Sequence, residues 1–286
     1  MRLHDVLRDA TQRLQAAGSE SARRDTELLM LVVLGKSAMW LYSHDDQSFL
    51  PEQALRFEAL LQRREQGEPV AHLLGERGFW TLDLRVNAHT LIPRPETEML
   101  VEFALEKLPA DAVGAVLDLG TGSGAIALAV KSERSACTVT AVDASPDALL
   151  VARENALRLG LAVEFLQGSW FAPLRQRRFQ LILSNPPYIR ADDAHLSQGD
   201  VRFEPRSALV SGVDGLDDIR QLVSLAPAHL LSGGWLALEH GHDQSLQVRA
   251  IMQAAGFQDV ASRTDLNGHE RITFGRYFLV GQAHVE

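Results

Sequence analysis

Ala115-Val116-Leu117-Asp118-Leu119-Gly120-Thr121-Gly122-Ser123-Gly124 decides the architecture, because an apolar run ends there in three glycines spaced two apart. The run reads as a strand and the glycines as a turn. A helix over residues 125–131 and a second strand over 138–142 follow, which makes a βαβ unit of the doubly wound class. Glycine lets the chain turn sharply and lets a ligand approach the backbone closely. The helix after it offers free N–H groups to whatever polar group arrives. The spacing is G-x-G-x-G rather than the G-x-G-x-x-G of a dinucleotide site, so a pyrophosphate is not the favoured guest. Asp143 ends the second strand about 20 residues beyond the glycines, where a carboxylate can accept bonds from both hydroxyls of a ribose.

Downstream, Ser145 and Pro146 open a helix carrying Ala148, Leu149, Ala152, Ala156 and Leu159, which Gly160 closes. A third strand over 163–166 leads to Gly168-Ser169-Trp170. An indole at a strand end can stack on an adenine, or serve as a half-buried core aromatic. The fourth strand, Leu181-Ile182-Leu183-Ser184, runs into Asn185-Pro186-Pro187-Tyr188. Neither proline has an N–H for the ladder, so the strand stops and a stiff loop begins. Open α/β sheets bind ligands beyond the carboxyl ends of their strands, which makes Asn185 and Tyr188 candidates; taken alone, Asn-Pro-Pro is also ordinary turn chemistry. A loop of about thirty residues follows, containing Asp192, Asp193, Glu204-Pro205 and Gly212-Val213-Asp214-Gly215-Leu216, and it is long enough to cover a site. A helix over 217–231, a turn at Gly233-Gly234, a strand over 235–238 and a helix marked by Val248, Ile251, Met252 and Ala255 come next. Two β-like runs, 257–262 and 271–278, fit an antiparallel hairpin at the sheet edge.

Upstream, Leu3, Val6, Leu7, Ala10, Leu14 and Ala17 keep helical spacing as far as Gly18. A second helix runs from about Ser21 to Gly35, Ser37 caps a short third, and Pro51 opens a fourth with Ala54, Phe57 and Leu61 on one face. This predicts a helical bundle over 1–73 without concentrated catalytic side chains, suited to holding a partner protein or to capping the rest. Over 74–92 the pattern alternates through Phe79, Leu82, Leu84 and Val86, predicting a β-hairpin linker; 93–286 is the α/β domain. Ile92-Pro93-Arg94-Pro95-Glu96-Thr97-Glu98 stiffens the entrance to a helix over 98–107.

At 286 residues the chain has room for two domains with their own cores, and 46% apolar with 23% charged residues is ordinary for a globular enzyme. Acidic residues outnumber basic ones, 37 to 28, for a formal charge of −9, which argues against a protein that holds long nucleic acid. The start lacks a signal-like apolar core and no apolar run is long enough for a bilayer. The single cysteine, Cys137, reads as a small core residue in a reducing cytoplasm. Glu239-His240-Gly241-His242 lacks the i, i+4 spacing of H-E-x-x-H and reads as a strand-end turn, so no metal is expected. Neither a nucleophile elbow nor a Walker A loop occurs, and 175–178 is a solvated basic turn.

Gly120 to Gly124, Asp143 and Asn185-Pro186-Pro187-Tyr188 together resemble the class I S-adenosylmethionine-dependent methyltransferases. The resemblance implies a seven-stranded, Rossmann-like sheet. Asn-Pro-Pro-Tyr is similar to the motif with which members methylate planar nitrogens, either exocyclic amines of nucleobases or the side-chain amide of glutamine. The 92–98 motif, Phe203-Glu204-Pro205-Arg206-Ser207-Ala208-Leu209 and Asp214-Gly215-Leu216, with the helical N-terminal domain, look like the protein-(glutamine-N5) methyltransferases of bacterial peptide chain release factors. In that family the substrate is the glutamine of a Gly-Gly-Gln loop, and the N-terminal bundle helps hold the factor. A ribosomal-protein glutamine methyltransferase, a DNA or RNA amino-methyltransferase and a non-catalytic binding protein are the alternatives. The resemblance implies that Gly120, Thr121, Gly122, Ser123 and Gly124 line the methionine side of S-adenosylmethionine and that Asp143 takes its ribose. It puts Trp170 against the adenine and gives Asn185, Pro186, Pro187 and Tyr188 the substrate amide, with Asn185, Pro186 and Tyr188 catalytic and Asn185 also facing the cofactor. The expected partners are release factors, with no stable nucleic acid and no membrane, and the expected state is a monomer.

Overall fold

A computed structural model describes residues 2–279, which form two compact units. The first comprises the described residues up to Glu76 together with His195–Phe203. Its helices are α1 (Leu3–Ala16), α2 (Ala22–Leu34), α3 (Ala38–Ser43), α4 (Pro51–Glu65) and α5 (Val70–Leu74). Ser37 caps α3 by accepting the Trp40 N–H, Pro51 occupies the first turn of α4, and Gly35 ends α2 in the left-handed region at φ 62°. Leu3, Leu14, Leu29, Met30, Phe57 and Leu61 fill the core between them. Spacing gives no sign of α5, a single turn closed by Gly75. Nor does it reveal that the chain returns at 195–203. Arg64, itself paired with buried Asp25 (2.8 Å), also reaches Asp200 (2.9 Å), and Arg202 donates to the Gln66 carbonyl.

The second unit comprises Arg77–Ala194 and the described residues from Glu204 on. A two-stranded hairpin, β1 (Glu76–Phe79) and β2 (Leu82–Arg85), leads into it. The hairpin is more than a connector, because Phe79 and Leu84 are buried in the same core as Leu100, Val101 and Phe103 of α6 (Glu98–Lys107). The elements that follow are β3 (Ala115–Leu119), α7 (Ala125–Glu133), β4 (Thr138–Asp143), α8 (Pro146–Leu159), β5 (Glu164–Gln167) and β6 (Phe179–Ser184). After them come α9 (Asp217–His229), β7 (Leu230–Glu239), α10 (Ser245–Ala254), β8 (Gln258–Thr264) and β9 (Glu270–Tyr277). The seven-stranded sheet has the order β5-β4-β3-β6-β7-β9-β8; the first five are parallel, while β9 runs antiparallel to both β7 and β8.

Successive residues of each central strand feed opposite faces of the sheet. Val116 and Leu181 face α6 and α7, whereas Leu117 and Ile182 face α9 and α10, so the sheet is covered on both sides. Full burial of Leu181, Ile182 and Leu183 contributes about 1.5–3 kcal/mol each. This is the doubly wound architecture that the glycine turn predicts. Gly233-Gly234, expected as a turn before a short strand, lies inside β7: the ladder jumps from Phe179↔Leu230 to Leu181↔Trp235, so the intervening residues bulge. Strand order reverses between β3 and β6, and Leu119 is in register with Ser184 at their carboxyl ends. Ligands of open α/β sheets bind at that switch point. The Ser184 hydroxyl donates to the Leu119 carbonyl at 2.6 Å, locking the two strand ends together.

Candidate active site

A cavity of about 380 Å³ opens at the switch point, within the range of small-molecule sites. Gly120, Thr121, Gly122 and Ser123 wall it from the end of β3, Asp143 from β4, Trp170 from beyond β5, and Asn185 and Pro187 from β6. Eight of the residues singled out in the sequence are thus gathered around one space. Gly124, Pro186 and Tyr188 are not among its walls. A Cβ on Gly124 would press on Leu128 and Ala152, so this glycine serves the packing of α7 against α8. Pro186 is buried, and the Tyr188 hydroxyl is bonded to Glu239.

The glycine turn is shaped by what it must pass. Gly120 sits at φ 73°, and a Cβ there would stand 3.3 Å from the Trp170 ring, so a larger residue would have to push the indole aside by a few tenths of an ångström. Asp118 pins the turn from beneath. Its Oδ2 accepts the Thr121 hydroxyl (2.6 Å) and the Ala127 N–H (3.2 Å), while its buried Oδ1 has no partner among the described residues. Complete burial pushes the Asp118 carboxyl up to about 7. Asp143 accepts the Gly122 N–H on Oδ2 (2.8 Å) and the Ser145 N–H on Oδ1 (2.9 Å). Burial raises its pKa despite those bonds, and each oxygen keeps a lone pair for a further donor.

At the end of β6, Asn185 belongs to a chain of buried hydrogen bonds. Its Nδ2 donates to Thr97 Oγ1 (3.1 Å), and the Thr97 hydroxyl donates to Glu239 Oε2 (2.7 Å). Tyr188 donates to Glu239 Oε1 (3.3 Å). The Asn185 Oδ1 is left buried without a partner among the described residues. Burial pushes the Glu239 carboxyl up to about 7, helped by the charge of Glu96 and opposed by the Thr97 and Tyr188 bonds and by Arg271. Burial also raises the Tyr188 phenol. The Tyr188 carbonyl accepts from Gln244 Nε2 (3.0 Å), which fixes the loop from its other side.

Sequence reading treated 92–98 as a stiff entrance and 203–209 as part of a covering loop. The two meet. Arg94 Nη2 lies 2.8 Å from both carboxylate oxygens of Glu204, whose side chain is completely buried. Pro205, Ser207 and Ala208, just beyond Glu204, line the cavity, as do Leu91 and Pro93 just before Arg94. Thr97, Asp118, Arg94, Glu204 and Glu239 were missed as site residues. All five lay in stretches that the sequence singled out, Asp118 as part of an apolar strand and Glu239 in a strand-end turn. Among the described residues, no group of three or more His, Cys, Asp or Glu side chains could hold a metal.

Family models match residues 5–75 (PrmC N-terminal domain) and 97–201 (methyltransferase small domain). A release factor glutamine methyltransferase of Pseudomonas aeruginosa is 55% identical over 264 residues, covering 92% of this chain and 95% of the relative. One from Vibrio cholerae is 50% identical over 274 residues, covering 95% and 96%. Among solved structures, a methyltransferase from Pyrococcus furiosus matches with a TM-score of 0.55 at 18% identity, over 78% of this chain and 98% of its own, a likeness of fold alone.

Proposed function

The chain belongs to the release factor glutamine methyltransferases, and on that premise we propose that it transfers a methyl group from S-adenosylmethionine to N5 of a glutamine side chain, the one in the Gly-Gly-Gln loop of a peptide chain release factor. The observation that carries this reading is the buried Asn185 Oδ1, an acceptor without a partner among the described residues, on a side chain that walls the cavity.

The walls suit the cofactor. Asp143 has acceptor capacity left for two ribose hydroxyls, the 120–123 turn would follow the methionine side, and Trp170 offers a face for the adenine. When bound, S-adenosylmethionine supplies a methyl group made electrophilic by a positively charged sulfur. The protein's own task is the amide. A carboxamide nitrogen shares its lone pair with its carbonyl, so it must be turned toward pyramidal geometry before it can attack. Asn185 Oδ1 and the Pro186 carbonyl, each accepting one N–H, would fix both protons and aim the lone pair. Pro186 and Pro187 hold these acceptors stiffly, and Tyr188, bonded to Glu239 and Gln244, anchors the loop that carries them. The amide that has just accepted the methyl group is a cation and strongly acidic, so it can lose a proton to give the neutral N-methylamide without a dedicated base.

Asn185→Ala should lower turnover of a release factor by on the order of 10²–10³ while S-adenosylmethionine affinity, read by calorimetry, stays within a few-fold. Unchanged turnover would refute the role given to Asn185.

A further inference from the structure

Resting on that reading, we propose that Thr97 and Glu239 are positioning residues that set which way the Asn185 amide faces, and so make its oxygen rather than its nitrogen meet the substrate. The argument is one of hydrogen-bond polarity. Glu239 is 2% exposed and receives both the Thr97 and the Tyr188 hydroxyls. In its ionised form Glu239 only accepts, on Oε2 from Thr97 and on Oε1 from Tyr188, and in that form the single Thr97 proton is committed to it. Thr97, itself 4% exposed, then has only a lone pair left for Asn185, and the group that can use it is the NH₂. The oxygen must turn the other way.

The reversed amide is penalised twice. Its oxygen would face the Thr97 oxygen with no proton between them, and its NH₂ would face the NH₂ of the substrate glutamine. In a buried site neither mismatch can be relieved by water. The geometry places Asn185 and Glu239 at adjacent strand ends. Ser184 is in register with Leu238, so Asn185 and Glu239 each follow directly on a paired position, and Thr97 is brought against them at the entrance to α6. Neither Thr97 nor Glu239 has to touch the reacting atoms for the polarity to be transmitted.

The test uses full-length enzyme, intact release factor and labelled S-adenosylmethionine. Thr97→Val keeps the shape and removes the relay; Thr97→Ser restores the hydroxyl without the methyl. The expected result is a fall in kcat on the order of tenfold to a hundredfold for Thr97→Val, with cofactor affinity unchanged, and recovery of most of the loss in Thr97→Ser. Glu239→Gln should fall similarly, because its NH₂ must face one of the two hydroxyls, and the double variant Thr97→Val/Glu239→Gln should be no worse than either single change. Equal kcat for wild type and Thr97→Val, or equal impairment of the Val and Ser variants, would overturn the proposal. If Glu239→Gln does not fold, the Val and Ser comparison decides alone. An Asn185→Ala enzyme that still turns over would instead sink the reading on which the relay rests.

Discussion

Asn185 and Gly120 face each other across the switch point, and each shows how little freedom a single position has there. In the proposed reaction Asn185 has to present an acceptor, and its Nδ2 is bonded to Thr97, which is bonded in turn to Glu239. Gly120 must present nothing, since a Cβ would stand 3.3 Å from the indole and the backbone sits at φ 73°. Gly120→Ala is therefore expected to destabilise the fold by about 1–2 kcal/mol from backbone strain and to weaken S-adenosylmethionine binding as Trp170 is displaced. Thermal unfolding with and without the cofactor reads both effects; an alanine enzyme with wild-type midpoint and affinity would contradict the tight passage. That Gly120, Gly122, Asp143, Asn185 and Pro187 would gather around one cavity was legible, because each ends or follows a strand whose pattern is local. Glu239 was not, since it meets Thr97 across 142 positions and its own stretch looked like a turn with stray histidines. Asp118 was hidden as well, as a carboxylate inside an apolar strand has no surface signature.

At the scale of elements, the Arg94–Glu204 clamp ties the entrance of α6 to the loop after β6. The Glu204 side chain is fully buried, so Arg94→Ala would leave a buried carboxylate without this guanidinium. The expected cost is about 1–3 kcal/mol by chemical denaturation, together with faster proteolytic cutting between 189 and 216. A loss below about 0.5 kcal/mol would mean the pair behaves as a surface bridge. Strands and helices of the sheet were legible from period and punctuation. Gly233-Gly234 was misread because a bulge inside a long strand uses the same residues as a turn. The return of 195–203 to the helical unit left no mark in sequence, because it depends on where Arg64 and Gln66 already stand.

Across the whole molecule, two fully buried carboxyls, Asp118 and Glu239, have folded pKa values raised to about 7. A raised folded pKa means that the folded state holds the proton more tightly than the unfolded one. The associated stability is full below the unfolded value near pH 4 and is lost as pH rises to about 7. Asp118→Asn removes one such group while keeping an acceptor for Thr121 and Ala127, so its stability relative to wild type should rise between pH 4 and 8. Parallel pH profiles of the two melting temperatures would contradict that assignment. Among the described residues no helix is long and apolar enough to cross a membrane, and the formal net charge of the chain is −9. The central claim is that Asn185 shapes a glutamine amide for methylation, and peptide mass spectrometry of a release factor incubated with enzyme and S-adenosylmethionine tests it most directly. The account predicts a single added methyl group on the glutamine of the Gly-Gly-Gln peptide, absent when Asn185→Ala enzyme is used; a methyl group on any other residue, or the same product from the alanine variant, would contradict it.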